Sequence, residues 1–162
     1  MNRLHFESSY DSCSFDELTD DEKLLVEKAR VATRNSYAPY SNFHVGAAVL
    51  LKNGQVVVGA NQENAAFPSG LCAERTAVFA AQANYPDQPI VMLAIAASDT
   101  KGLREMPVSP CGSCRQVILQ IESRYHQPVE ILLSGTSRIY RFESIRDLLP
   151  LSFVDEDLQV EP

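Results

Sequence analysis

Eight consecutive apolar residues, Ile90 to Ala97, form the longest hydrophobic run in this 162-residue chain. The run is far short of the roughly 20 residues a helix needs to cross a bilayer. Pro86 and Pro89 break the chain just ahead of it, so it reads as a central strand buried on both faces. Such a strand needs a covering layer on each side, which points to an α/β architecture.

The surrounding pattern fills in those layers. Thr19-Asp20-Asp21-Glu22 has the form of a capping box, and Leu24, Leu25, Ala29 and Ala32 recur at helical spacing, predicting a helix over about 20–34. The turn-rich YAPYSN segment, 37–42, stops it. Val45–Leu51 and Gln55–Ala60 flank Asn53-Gly54, the strongest short hairpin signal, which predicts positive φ at both central residues. After a loop containing Pro68, Ser69 and Gly70, the small residues Ala73, Ala77, Val78, Ala80 and Ala81 suit a helix packed closely on a sheet. Cys114–Arg124 reads as a further helix, Val129–Leu133 and Arg138–Phe142 as strands, and Glu143–Leu149 as a short helix. The expectation is a three-layer α/β/α fold around a mixed five-stranded sheet.

Charge narrows the partners. Fourteen Lys and Arg stand against 21 Asp and Glu, a net charge of −7. Polyanion binding needs clustered cations, and this chain has no such cluster, so a free small molecule is expected rather than nucleic acid. The acidic stretches, 16–27 and 155–161, read as a solvated helix face and a solubilising tail. The first eighteen residues lack the apolar stretch of a secretory signal. The expectation is a cytoplasmic protein that does not enter membranes.

Four cysteines occur, at 13, 72, 111 and 114. In a reducing compartment two disulfides are disfavoured, and Cys111-x2-Cys114 reads as metal-binding or redox chemistry. Cys72 opens one helix with Glu74 two residues on, while Cys111 and Cys114 open another. Helix N-termini favour thiolates, so two facing termini would make a three-thiolate pocket suited to zinc. Three protein ligands leave a fourth position for water, the mark of a catalytic site, and zinc lowers that water's pKa. Glu74, near the metal but not on it, is placed to shuttle protons. Three thiolates over-neutralise a divalent cation, so one or both of Arg75 and Arg115, each following a residue of the site, are expected to donate hydrogen bonds to sulfur. Two other readings compete: a closed structural site with Cys13 as fourth ligand, and a redox role for Cys111 and Cys114. The first has only the cysteine count behind it, and the second leaves Cys72 and Glu74 unexplained.

The segments NQENAAFPSGLCAERTA (61–77) and SPCGSCRQV (109–117), with YSNFHVGAAVL (40–50) and LLPLSFVDEDL (148–158), resemble the cytidine deaminase family, specifically its small all-cysteine branch. The resemblance runs over about 20–158, which would be a single catalytic domain between a weakly ordered extension, 1–19, and a tail, 159–162. It implies that Cys72, Cys111 and Cys114 are zinc ligands and Glu74 the proton shuttle, with one Zn2+ per subunit. Asn61 and Glu63 match positions that hydrogen-bond the ribose hydroxyl. Phe43 matches the aromatic that packs on the pyrimidine, and backbone near Ala73 and Ser109 would read the base. Such proteins are homotetramers, and Phe67 and Phe153 fall where neighbouring subunits complete each site.

The implied activity is hydrolytic deamination of cytidine and 2′-deoxycytidine to the uridines with release of ammonia, a pyrimidine salvage step. The rival substrate is another aminated pyrimidine nucleoside such as blasticidin S. Nucleotide deaminases would need a cationic phosphate site that is not evident here, and the negative charge disfavours editing of RNA or DNA. One departure is His44, where the family usually has proline; it could touch substrate or metal, but a strand residue beside a loop reads more simply as a solvent-facing filler. His5 and His126 have no motif around them.

Overall fold

The computed structural model describes residues 1–158; the expected tail, 159–162, lies outside the described residues. Strands β1 (Asp11–Cys13), β2 (His44–Leu51), β3 (Val56–Ala60), β4 (Ile90–Asp99), β5 (Gly102–Leu103), β6 (Glu130–Ser134) and β7 (Ile139–Phe142) join helices α1 (Asp20–Ala32), α2 (Ala73–Asn84) and α3 (Gly112–Tyr125). Among the described residues they build one mixed sheet in the order β1-β7-β6-β4-β2-β3, with β5 folding back on the end of β4. Among the described strands only β4 and β6 run parallel; the connection between them carries α3.

The sheet has seven strands where five were expected. The two additions, β1 and β5, are three and two residues long, so neither carries a hydrophobic pattern in sequence. β1 is a strand because the open edge of β7 pairs with it, Ser12 opposite Tyr140. Tyr10 stacks on Phe142 at 5.1 Å, and Arg141 bridges to Asp11 at 2.7 Å. Leu18, also ahead of residue 20, is buried in the core.

Strict alternation sorts the central strands onto two cores. Ala47, Val49, Leu51, Leu93, Ile95, Ile131 and Leu133 face α2 and α3. Ala48, Ala94, Ala96 and Leu132 face Leu25, Val26 and Ala29 of α1. Small residues dominate that second face because α1 lies almost on the sheet: a Cβ at Gly46 would come within 2.6 Å of the Thr33 backbone nitrogen and closer still to the Ala29 carbonyl. The predicted capping box is present, with Thr19 accepting from the Glu22 N–H and Glu22 accepting from the Thr19 N–H.

The β2–β3 turn corrects one expectation. Gly54 alone has positive φ, 84°, and Asn53 does not. The Gly54 N–H bonds the Leu51 carbonyl at 2.9 Å, so the loop is the three-residue kind closed by one left-handed glycine. The expected helix over 143–149 is a single 3-10 turn, Ile145–Leu148. No helix among the described residues is long and apolar enough to cross a membrane.

Candidate active site

Cys72 and Cys111 are the N-cap residues of α2 and α3, both in extended backbone and neither making a side-chain cap bond. A cysteine caps poorly, so its thiol is free to turn outward while the first-turn N–H groups remain unsatisfied and favour negative charge. Cys114 lies one turn along α3 and is buried. The Sγ atoms of Cys72 and Cys111 are 3.9 Å apart and those of Cys111 and Cys114 3.5 Å, with all three within 4.8 Å of one another. Tetrahedral zinc with Zn–S bonds of about 2.3 Å spaces its sulfurs about 3.8 Å apart. The donor set therefore fits zinc in number, chemistry and spacing.

The surrounding charges suit an anionic cluster. Cys72 is drawn down to about 5, chiefly because the Cys114 thiol donates to its sulfur, with Arg75 adding a second bond. Cys114, as that donor, is pushed up. Arg75 Nη2 lies 3.5 Å from Cys72 Sγ, and its buried Nε has no partner among the described residues. Of the two arginines expected to supply one or both such bonds, Arg75 does so and Arg115 does not. Its Nε bonds the Pro110 carbonyl at 2.9 Å and its Nη1 the Leu148 carbonyl at 2.6 Å. Those carbonyls lie just before Cys111 and in the C-terminal segment, so Arg115 holds backbone and leaves sulfur to Arg75.

Glu74 sits in the first turn of α2, 5% exposed. Burial raises its pKa, opposed by its own backbone N–H, while the Cys72 charge raises it further. Ala73 beside it is fully buried. Cys13 is elsewhere: it lies on β1, on the α1 side of the sheet, with its thiol 3.6 Å from the Ile139 carbonyl. The reading of Cys13 as a fourth ligand therefore fails on position.

A cavity of about 400 Å³ reaches Cys72 from a wall formed by Tyr40, Asn61, Glu63, Phe67 and Leu71, among others. Asn61 and Glu63 are also engaged with backbone. Asn61 Oδ1 accepts from the Val45 N–H at 2.7 Å, and its Nδ2 donates to the Phe43 carbonyl at 2.9 Å. Glu63 Oε2 accepts from the N–H groups of Tyr40, 2.8 Å, and Ser41, 3.3 Å. Bonds from the Ser41 side chain and the Tyr40 backbone hold Glu63 below its usual carboxylate range. One amide hydrogen of Asn61 and further lone pairs of Glu63 are left by valence for a ligand.

Phe43 is half-buried and Ser109 exposed, and neither lines this cavity. Phe67 and Phe153 are 74% and 58% exposed; Phe67 meets Tyr40 edge-on at 5.6 Å, and the Phe153 carbonyl accepts from Gln116. A larger cavity, about 690 Å³, lies at the far end of α3 around His126, Ser144 and Arg146 and contains none of the thiols.

Sequence reasoning missed two things here. The segment 37–42, whose turn residues read as a helix stop, makes a parallel bridge from Tyr37 to Gln62 and supplies the backbone that Glu63 grips. His44 is no solvent-facing filler: it is half-buried, with Nδ1 3.1 Å from Ser36 Oγ. The turn residues were the only available signal for the first, and the missing proline for the second.

Comparisons with known proteins agree with this geometry. The family model described as the cytidine and deoxycytidylate deaminase zinc-binding region matches residues 19–127. A cytidine deaminase from Halalkalibacterium halodurans is 38% identical over 138 residues, 85% of this chain and 98% of that one. One from Mycobacterium tuberculosis is 38% identical over 141 residues, 87% and 96% of the two chains. The crystal structure of cytidine deaminase from Burkholderia pseudomallei superposes with a TM-score of 0.70 at 37% identity, covering 84% of this chain and all of that one. The chain thus belongs to the cytidine and deoxycytidylate deaminase family, and its three-cysteine cluster fits the all-cysteine zinc branch.

Proposed function

We propose that this protein hydrolyses cytidine and 2′-deoxycytidine to uridine and 2′-deoxyuridine, releasing ammonia. The observation that carries the proposal is the convergence of three thiols at two facing helix caps, with the buried carboxyl of Glu74 in the first turn beside them. Family membership and 38% identity to cytidine deaminases over most of the chain support the same reading.

Cys72, Cys111 and Cys114 would hold one zinc ion per subunit, and that ion would supply a coordinated water of lowered pKa as the nucleophile. Arg75 offsets the surplus negative charge by donating to the Cys72 sulfur. Glu74 moves the protons. Its carboxylate takes one from the attacking water and delivers it to the ring nitrogen beside the amino-bearing carbon. The carboxylate then takes the remaining proton from the hydroxyl now bonded to that carbon and hands it to the amine, the carbon–nitrogen bond breaks as the carbonyl forms, and water and nucleoside leave as the uracil nucleoside and ammonia. Burial excludes bulk water from Glu74 and strengthens each transfer.

Asn61 and Glu63 present their remaining polar valences to the sugar, with Phe43 and the backbone at Ala73 and Ser109 on the base. In a homotetramer, the exposed rings of Phe67 and Phe153 would complete neighbouring sites. The setting is cytoplasmic pyrimidine salvage.

The test is an ultraviolet assay with cytidine, deoxycytidine, cytosine, CMP and blasticidin S, alongside zinc quantification. Turnover of the two nucleosides is expected. Glu74→Gln should retain zinc and lose about 10²–10⁴-fold in kcat. A zinc-loaded protein that deaminates neither nucleoside would overturn the proposal, and turnover of blasticidin S alone would move it to that substrate.

A further inference from the structure

We infer that His44 is a positioning residue for nucleoside binding, acting through the hydrogen bond that ties it to Ser36 across the neck of the loop gripped by Asn61 and Glu63. The inference rests on the proposed role of those two residues at the sugar.

The loop starts at Ser36 and ends at His44, and between them it contacts both sugar-binding candidates from several sides. Tyr37 pairs with their backbone: its N–H donates to the Asn61 carbonyl at 3.0 Å, and its carbonyl accepts from the Glu63 N–H at 2.8 Å. Further along, the N–H groups of Tyr40 and Ser41 donate to the Glu63 carboxylate. At the end, the Asn61 amide spans the residues flanking His44, accepting from the Val45 N–H and donating to the Phe43 carbonyl. Asn61 and Glu63 are thus hydrogen-bonded to the loop at its start, middle and end, and their orientation depends on the loop keeping its shape.

Within the loop, Asn42 sits at φ 53°, in the left-handed region that asparagine enters more readily than most residues. His44 Nδ1 and Ser36 Oγ, 3.1 Å apart, supply the side-chain link between the two ends. A serine hydroxyl donates or accepts equally well, so this link works with either form of the imidazole. The half-burial of both residues shields the bond from competing water.

The zinc-ligand and proton-transfer candidates are carried separately. Cys72 and Glu74 are anchored on α2, and Cys111 and Cys114 on α3. Loosening the loop's neck should therefore weaken sugar binding and leave the chemical step intact.

The experiment compares steady-state kinetics of wild type, His44→Ala, Ser36→Ala, the double variant and His44→Asn, with cytidine and with 3′-deoxycytidine. Losing one partly buried hydrogen bond should raise the cytidine KM about 3- to 10-fold at nearly unchanged kcat. Ser36→Ala should match His44→Ala, and the double variant should add nothing further. His44→Asn, whose short amide reaches the Nδ1 position, should restore the KM. With 3′-deoxycytidine, which lacks the hydroxyl those residues would hold, the variants should lose clearly less than with cytidine.

The inference falls if the cytidine KM is unchanged in His44→Ala. It falls equally if the loss appears in kcat, if Ser36→Ala has no effect, or if 3′-deoxycytidine is affected as much as cytidine. Amide exchange at Tyr40 and Ser41 separates this outcome from failure of the proposed activity. Faster exchange in His44→Ala supports the link even without turnover, and identical exchange refutes it.

Discussion

Gly59 offers the most direct test of how the fold positions the site. It lies on β3 against the first turns of α2, where an added Cβ would sit 2.6 Å from the Ala73 carbonyl oxygen, 2.9 Å from Ala77 Cα and closest of all to the Ala77 nitrogen. Ordinary contact begins at 3.4 Å, and all three atoms are backbone, so no rotamer change relieves the clash. Gly59→Ala must push α2 off the sheet by about 1 Å, the shortfall at the closest atom. Overpacking of this kind costs about 1–3 kcal/mol, a fall in Tm of about 3–9 °C for a chain of this size.

The displaced helix carries Cys72 at its cap and Glu74 in its first turn, while Cys111 and Cys114 stay on α3. A 1 Å misplacement at a reacting centre costs about 10²-fold in rate. Thermal unfolding, zinc content and cytidine turnover should all fall together. Gly112→Ala is the control: it opens α3 with nothing within 4 Å of the added methyl, and all three quantities should hold. If Gly59→Ala keeps wild-type melting, zinc and rate, the close helix–sheet approach does not position the thiols and the reasoning fails.

Two further substitutions test the packing. Glu122, 5% exposed, accepts from the Val129 and Ile145 N–H groups and from Ser144 Oγ. Glu122→Ala strands two buried donors at about 1–3 kcal/mol each, so urea unfolding should show a loss of about 2–6 kcal/mol, and a loss below about 1 would refute that role. Glu130 is raised to about 7, first by burial and then by its neighbour Glu22, so the folded state holds its proton through a window where the unfolded chain releases it. Its contribution is complete below about pH 4.5 and is lost as pH rises through 7. Wild-type Tm should decline from pH 5 to pH 8. Glu130→Gln should flatten that decline and melt about 2–4 °C higher at pH 8, taking about 1 kcal/mol after allowing for solvent screening of a half-exposed group; an unchanged slope would refute the assignment.

Much of the architecture was legible along the chain because it follows from local periodicity. The apolar run at 90–97 marked the central strand, Thr19 and Glu22 marked the start of α1, and the small residues after Cys72 marked a helix lying close on the sheet. The edge strand β1 was not legible, since its strand character comes from the open edge of β7 and not from Asp11-Ser12-Cys13 themselves. The hairpin was legible in place but not in turn type, because that depends on which carbonyl Gly54 reaches.

The same division runs through the site. The spacing of Cys111 and Cys114, and the placing of Cys72 and Glu74 at a helix start, needed only the 3.6-residue turn and the chemistry of helix termini. Arg75 reaches the Cys72 sulfur across three residues, a local contact. Tertiary structure decided that Arg115 reaches the distant Leu148 carbonyl and so leaves sulfur alone. It also decided that Asn61 and Glu63 hold a loop as well as facing the cavity, and that His44 bonds Ser36. Residue type and spacing set what a side chain can donate or accept. Only packing in three dimensions brings the partner within 3 Å or so and excludes the water that would otherwise take its place.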